Sequence, residues 1–245
     1  MKATGEIHPG FIGASATADE NVIFIHGGAV TNSKYTNDLS TLSREGVFSK
    51  LEPSEEIPSP RRDHCSWTFA SNHYFFAGQL GDDSFSNDLI QYNRKKNEFR
   101  RVASTGHVPT ARSRCATAKL HKMVYLHAGH CEGQNLNDFM AINMITMQWT
   151  KFTDSGFTDG VCDRTITRVS EKHILLIGGN LGSTVSDRVL LFDVEDRAWT
   201  EQDSLSLRSF PRTTAFSSFA SAEMSTLPKK HIPNTCPFSS FVREF

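Results

Sequence analysis

The sequence predicts an all-β fold in which a four-stranded antiparallel unit is repeated four times. Three features predict it. A pair of small residues recurs after 50, 51 and 50 residues, an Asp follows each pair, and a large aromatic residue ends each unit. The small pairs are Gly27 and Gly28, Ala77 and Gly78, Ala128 and Gly129, and Gly178 and Gly179. A period of this length is typical of repeat folds in which each repeat is one supersecondary element.

The four units span about 8–52, 58–103, 109–153 and 159–203. In unit order, the Asp positions are Asp38, Asp88, Asp138 and Asp187, and the closing aromatics are Phe48, Phe99, Trp149 and Trp199. Each unit is expected to contain four short strands, because runs rich in aromatic and branched residues alternate with turn formers. In the second unit these runs are 67–69, 73–76, 89–92 and 98–100, and in the third they are 115–119, 123–127, 138–143 and 148–152.

Two units also begin with a Pro-x-x-Arg motif, at Pro58 to Arg61 and at Pro109 to Arg112. The first unit has Ile12 at the arginine position, and the fourth has Cys162 there with Arg164 two residues later. With the small pairs, the Asp positions and the closing aromatics, these motifs resemble the kelch-repeat β-propeller family over residues 8 to 219. The resemblance implies propeller blades and a role in binding proteins or peptides.

Physical reasons favour structural roles for the repeated residues. Small residues at the end of the second strand allow backbones to approach closely. The Asp can accept hydrogen bonds from loop amides, and the closing aromatic can fill the space between neighbouring blades. We therefore interpret Gly27, Gly28, Gly78, Gly129, Gly178, Gly179, Asp38, Asp88, Asp138, Asp187, Trp149 and Trp199 as structural motif residues.

The repeat does not continue to the end of the chain. A fifth unit begins at 210–220, and residues 224–245 supply neither a small pair nor an Asp-led strand. We predict a propeller domain over 1–223 and an irregular tail over 224–245. An arc of four blades leaves sheet faces and edges unburied. The propeller is therefore expected to be incomplete or unusually closed, which predicts self-association or a partner that completes it; a compact four-blade ring is the alternative.

Composition excludes several classes of function. The formal net charge of -1 at pH 7 and the pI near 6.8 give no general attraction to nucleic acid or to an anionic membrane. The start of the chain has no apolar leader, and no apolar run is long enough to span a bilayer. We expect a cytoplasmic or nuclear protein with neither a nucleic-acid nor a membrane partner.

Five cysteines, at 65, 115, 131, 162 and 236, lack Cys-x-x-Cys spacing and are expected to be reduced thiols. His64-Cys65 and His130-Cys131 contain possible zinc ligands, but neighbours in a strand point to opposite faces and rarely meet at one ion. We therefore predict no metal and no cofactor.

The arginines of the leading motifs form the candidate binding site. In an up-and-down blade, the segment before the first strand and the loop after the second strand lie at the same end, which we call the rim. Rim arginines suit a carboxylate-bearing ligand, such as an acidic peptide or a free C-terminal carboxylate. The alternative is that they pair with local carboxylates, with Asp63 and Asp163 as candidates. The proposed binding residues are Arg61, Arg62, Arg112, Arg114, Arg164, Gln79, His130 and Asn180, with Arg212 as a further member of the arginine set.

Three functional hypotheses follow from the resemblance. The first is a non-enzymatic interaction module that binds a protein or peptide at the rim, as an adaptor or as a substrate receptor of a ubiquitin ligase. The second is a cytoskeletal, actin-type scaffold that binds through lateral blade surfaces. A propeller enzyme is the third hypothesis, but neither a catalytic triad spacing nor a Gly-rich phosphate loop stands out.

Overall fold

A computed structural model describes residues 4–19, 21–81, 83–152 and 159–202. Every helix or strand assigned within these residues is a β-strand, and the strands form one main antiparallel sheet for each sequence unit. The all-β prediction and the four blades are therefore confirmed. The predicted fifth unit and the tail over 224–245 lie outside the described residues.

The strand bounds agree closely with the sequence pattern. Unit 1 and the segment before it contain β1 (Thr4–Gly5), β2 (Ser15–Ala18), β3 (Val22–His26), β4 (Leu39–Ser43) and β5 (Val47–Leu51). Unit 2 contains β6 (Arg61–Arg62), β7 (Cys65–Phe69), β8 (Asn72–Phe76), β9 (Gln79–Leu80), β10 (Leu89–Asn93) and β11 (Glu98–Arg101).

Units 3 and 4 repeat this order. Unit 3 and the segment before it contain β12 (Thr105–Gly106), β13 (Ala116–Leu120), β14 (Met123–Cys131), β15 (Gln134–Asn143) and β16 (Gln148–Phe152). Unit 4 contains β17 (Thr165–Arg168), β18 (His173–Ile177), β19 (Val189–Asp193) and β20 (Ala198–Gln202). The β14–β15 hairpin is longer than the sequence predicts, because the ladder resumes after a register shift between His127 and Gly129.

The blades follow one another around a common axis, with the first strand of each blade innermost. β2 contacts β7, β7 contacts β13, and β13 contacts β17. Each sheet then continues outward as an antiparallel meander of second, third and fourth strands. The four described blades thus have the arrangement of a β-propeller.

Hydrophobic clusters between the blades form the core. Phe99 packs with Phe24 and Leu39 of unit 1, and Trp149 packs with Phe76 and other residues of unit 2. Trp199 packs against the cluster shared by units 3 and 4. The closing aromatics of units 2 to 4 therefore fill the space next to the preceding blade, as predicted.

The small pairs combine a left-handed backbone with close packing. Gly28 has φ +100°, and a Cβ atom added to it would lie 2.1 Å from the carbonyl oxygen of Gly10. The first member of the pair tolerates Ala, since Ala77 and Ala128 adopt φ values of 69° and 56°. The second position is therefore the stricter requirement for glycine.

Segments between the units cover the outer edges of three sheets, which the sequence pattern did not predict. β1 runs parallel to β5, and β12 runs parallel to β16. In unit 2, Ser54 forms a parallel bridge with Glu98 of β11. These contacts pair backbone groups that an outermost strand otherwise leaves open.

Candidate functional site

The rim expected from strand order is present in all four blades. In each blade, a residue of the leading segment pairs with a residue that follows the small pair: Ile12 with Ala29, Arg62 with Gln79, Ser113 with His130, and Cys162 with Asn180. The two segments that the sequence placed at one end of the blade are therefore hydrogen-bonded to each other.

A run of backbone hydrogen bonds joins the rims of neighbouring blades. The Asp63 amide donates to the Gly13 carbonyl at 2.7 Å, the Arg114 amide to the Asp63 carbonyl at 2.8 Å, and the Asp163 amide to the Arg114 carbonyl at 3.1 Å. All four residues have positive φ, between 52° and 69°. These bonds fix the spacing of the charged side chains from one blade to the next.

Units 2, 3 and 4 together enclose an open cleft of about 610 Å³, which we call the rim cleft. It contains groups of both charges, several amide and hydroxyl groups and one aromatic ring. Its lining residues are Arg62, Asp63, Gln79, Phe85, Ser113, Arg114, His130, Asp163 and Asn180. Five of the eight proposed binding residues, Arg62, Arg114, Gln79, His130 and Asn180, are thus brought together.

The other three proposed residues, Arg61, Arg112 and Arg164, lie below the rim and inside the blades. Their exposed fractions are 0%, 1% and 7%. The guanidinium group of Arg61 donates to the Ala77 carbonyl at 3.0 Å and lies 3.5 Å from Asp88. Burial lowers the pKa of Arg61, although the charge of Asp88 opposes this effect.

Arg112 occupies the equivalent position in unit 3 with a closer ion pair. It donates to both carboxylate oxygens of Asp138, at 2.5 and 2.8 Å, and to the Ala128 carbonyl at 3.0 Å. Burial acts to lower the pKa of Arg112, but the hydrogen bonds and charge of Asp138 outweigh it and raise the pKa. The repeated Asp therefore serves in these units as the counterion of a buried arginine.

Arg164 reaches the equivalent place from two positions further along the chain. It donates to the Gly178 carbonyl at 2.6 Å and to Ser186 Oγ at 3.2 Å, as Arg61 does to Ala77 and Ser86. Burial, with a smaller effect of the Arg188 charge, lowers its pKa to about 10. The irregular position of this arginine in the sequence is thus compensated in the fold.

The two arginines of the rim cleft are half-buried and carry local partners. Arg62 donates two hydrogen bonds to Gln79 Oε1, at 3.2 and 3.0 Å, lies 3.5 Å from Asp63 and covers the Tyr35 ring. Arg114 forms a bidentate pair with Asp163 of the next blade, with one bond of 2.9 Å. The pairing with local carboxylates that the sequence left as an alternative is therefore present.

The cleft is balanced in formal charge, with two arginines and two aspartates. Burial raises the pKa of Asp63, although Arg62 and Arg114 act against that shift. Partly buried arginines with exposed edges can exchange an internal carboxylate for one from a ligand. The cleft is thus suited to a ligand with polar groups of both kinds.

The far wall of the cleft is polar with one aromatic side chain. His130 lies 3.0 Å from Asn135 Oδ1, and Asn135 donates to the Asn180 carbonyl at 2.9 Å. Phe85 packs edge-on against the His130 ring, with centroids 6.3 Å apart. Sequence reasoning did not select Phe85 or Ser113, although Phe85 is the only aromatic residue of the loop 79–86.

Buried histidines lie at the interface of units 1 and 2 rather than at the rim. His64 Nε2 lies 2.6 Å from Ser15 Oγ and 3.0 Å from His26 Nδ1, while His73 Nδ1 lies 2.6 Å from Thr17 Oγ1. Burial lowers the pKa of His26 to about 3 and that of His73 to about 4. Within the described ranges, no group of three or more His, Cys, Asp or Glu residues could hold a metal ion.

The described part of the chain also contains no helix long and apolar enough to cross a membrane. The family model for the KLHDC2/KLHL20/DRC7 Kelch-repeats domain matches residues 1–179 and 43–225. Kelch propellers generally mediate protein–protein interactions.

Several curated proteins are similar to this chain. Tip elongation aberrant protein 3 of Schizosaccharomyces pombe is 24% identical over 227 residues, covering 77% of this chain and 20% of that protein. Host cell factor 2 of Homo sapiens is 25% identical over 172 residues, covering 60% and 21%. Leucine-zipper-like transcriptional regulator 1 of Homo sapiens is 23% identical over 117 residues, covering 46% and 14%. The chain thus spans about a fifth or less of the length of these relatives.

Proposed function

The chain belongs to the kelch-repeat family, and from that premise we propose that it is a non-enzymatic interaction module that binds a peptide or protein segment in the rim cleft. The role is that of an adaptor or of a substrate receptor of a ubiquitin ligase. The observation that carries the proposal is the rim cleft itself, to which units 2, 3 and 4 all contribute side chains.

The chemistry of the cleft favours an extended polar segment with at least one carboxylate. Arg62 and Arg114 each present a guanidinium group whose side chain is 29% and 36% exposed. A carboxylate of the ligand can pair with these groups, while Gln79, His130 and Asn180 can bond to ligand amides. A charge-assisted hydrogen bond of this kind contributes about 1.5–3 kcal/mol.

Binding at the rim is tested with the full chain and immobilised twelve-residue peptides. Three sets are compared: acidic peptides with a free C-terminus, the same peptides amidated, and uncharged peptides. We expect the first set to bind best, and R62A with R114A to weaken binding at least tenfold, because each substitution removes a charged donor.

The matched control is R94A, which removes an exposed arginine from the short turn between β10 and β11. Its binding should equal that of the unchanged chain. Equal binding by R62A/R114A, with an unchanged melting temperature, would refute the rim proposal and favour contact through lateral blade surfaces, as in a scaffold. Substitution of Arg61 or Arg112 is unsuitable for this test, because both side chains are buried.

A further inference from the structure

Two cysteines of neighbouring blades face each other at the interface of units 2 and 3. The Sγ atoms of Cys65 and Cys115 lie 2.6 Å apart, and Cys65 Sγ also donates to the Cys115 carbonyl at 3.0 Å. Cys65 begins β7, and Cys115 directly precedes β13, which contacts β7. Both residues carry free thiols in this structure.

The repeat places these two side chains together. Cys65 stands 13 residues before Gly78, as Ser15 stands 13 residues before Gly28. Cys115 stands 14 residues before Gly129, as His64 does before Gly78. The contact between Cys65 and Cys115 is therefore the equivalent of the Ser15–His64 contact of 2.6 Å one blade earlier. The proximity follows from the architecture of the interface, since the same pair of positions meets twice.

We propose that Cys65 and Cys115 form an oxidation site at which a low-molecular-weight disulfide, such as glutathione disulfide, generates a reversible disulfide bond between units 2 and 3. Disulfide exchange proceeds when a thiolate attacks a sulfur of the oxidant, and a second thiol then displaces the remaining half. The sulfur atoms already lie only about 0.6 Å beyond the length of a disulfide bond of about 2.05 Å.

The different exposure of the two thiols sets the order of the steps. Cys115 is half-buried, whereas Cys65 is only 6% exposed. The Cys115 thiolate attacks the oxidant and forms a mixed disulfide, releasing one low-molecular-weight thiol. Cys65 then attacks Cys115 Sγ and releases the second thiol, so two protein thiols are oxidised and two low-molecular-weight thiols are formed. The contact with Cys115 and burial raise the pKa of Cys65, which makes it the poorer first nucleophile.

The bond would connect the two segments that carry the cleft arginines. Cys65 follows Arg62 by three residues, and Cys115 follows Arg114 directly. A covalent link here would close a loop of about 50 residues and restrict the unfolded chain. Oxidation would thus stabilise the propeller at the base of the rim cleft.

The site is tested by incubating the full chain with glutathione disulfide, followed by alkylation, trypsin digestion and mass spectrometry without reduction. The expected product joins peptide 63–94 to peptide 115–119, because cleavage after Arg62, Arg94, Arg114 and Lys119 isolates each cysteine. The melting temperature should rise by about 5–15 °C and return to its starting value with dithiothreitol.

Cysteine variants provide the matched comparison. C115S should give neither the linked peptides nor the rise in melting temperature, whereas C131S should give both, because Cys131 lies at the end of β14 away from the pair. Glutathione held on Cys115 without the linked peptides, or a link between any other two cysteines, would overturn the proposal. The test on the unchanged chain needs no variant, so a folding defect of C115S would not prevent a decision.

Discussion

Acidification is predicted to unfold this propeller through its buried histidines. His26 and His73 are 0% and 2% exposed, and burial is the main cause of pKa values of about 3 and about 4. The charge of Arg61 and then that of His8 add to the shift at His26. At His73, the Arg94 charge lowers the pKa further while that of Asp19 opposes it. The fold therefore favours the neutral rings.

The sign and size of the effect follow from linkage. Above pH 6.5 both the folded and the unfolded chain hold these rings neutral, and the stabilisation relative to the charged form is fully present. Below pH 6.5 the unfolded chain takes up protons that the folded chain refuses, until the folded pKa is reached. At pH 5, 1.5 units below 6.5, each ring costs about 2 kcal/mol at 1.36 kcal/mol per unit.

His26 and His73 together therefore lower the free energy of unfolding by about 4 kcal/mol at pH 5. His64 and His127, whose pKa values burial also lowers, act in the same direction. The raised pKa of Asp63 acts in the opposite direction, because the folded chain binds that proton more readily. A typical domain has only about 5–15 kcal/mol to lose.

The assay is urea unfolding at pH 7.5, 6.5, 5.5 and 5.0, followed by the fluorescence of the buried Trp67 and Trp149. The variant H73Q should lose about 2 kcal/mol less than the unchanged chain between pH 7.5 and pH 5.0. H107Q, which changes an exposed histidine, should keep the original pH dependence. A free energy of unfolding that stays constant down to pH 5.0, or an unchanged slope in H73Q, would refute this reasoning.

Three further predictions concern the folded core and are all checked by chemical unfolding. D138N should cost about 3–5 kcal/mol, because it leaves the guanidinium group of Arg112 buried without its counterion; a loss below 1 kcal/mol would contradict this assignment. W149A should also cost about 3–5 kcal/mol, since Trp149 is 1% exposed between units 2 and 3. G28A should lower the melting temperature, because its Cβ would meet the Gly10 oxygen at 2.1 Å, while G81A, with open space around it, should not.

Most of the fold could be predicted because its determinants repeat along the chain. The small pair, the Asp and the closing aromatic each occupy one place in every unit, and the runs between them match the strands to within a few residues. The parallel pairing of β1 with β5 was not predictable in this way. Thr4–Gly5 is too short to show a strand pattern and is held only by the edge of the neighbouring strand.

The candidate site could be predicted only in part. The rim follows from strand order, and Gln79, His130 and Asn180 line its cleft. Phe85 and the Cys65–Cys115 contact were missed. Phe85 was one residue within a loop, and the two cysteines approach only when successive blades pack against each other.

The sequence by itself determined the repeat, the strand order and the end of the blade at which the loops gather, because these depend on side-chain types at regular local spacings. Tertiary structure alone decided what each arginine does. Arg61 and Arg62 are adjacent and chemically identical, but neighbours in an extended chain point to opposite sides. One therefore enters the blade toward Asp88, 27 residues away, while the other remains in the cleft. That choice depends on how distant segments pack, which no local pattern records.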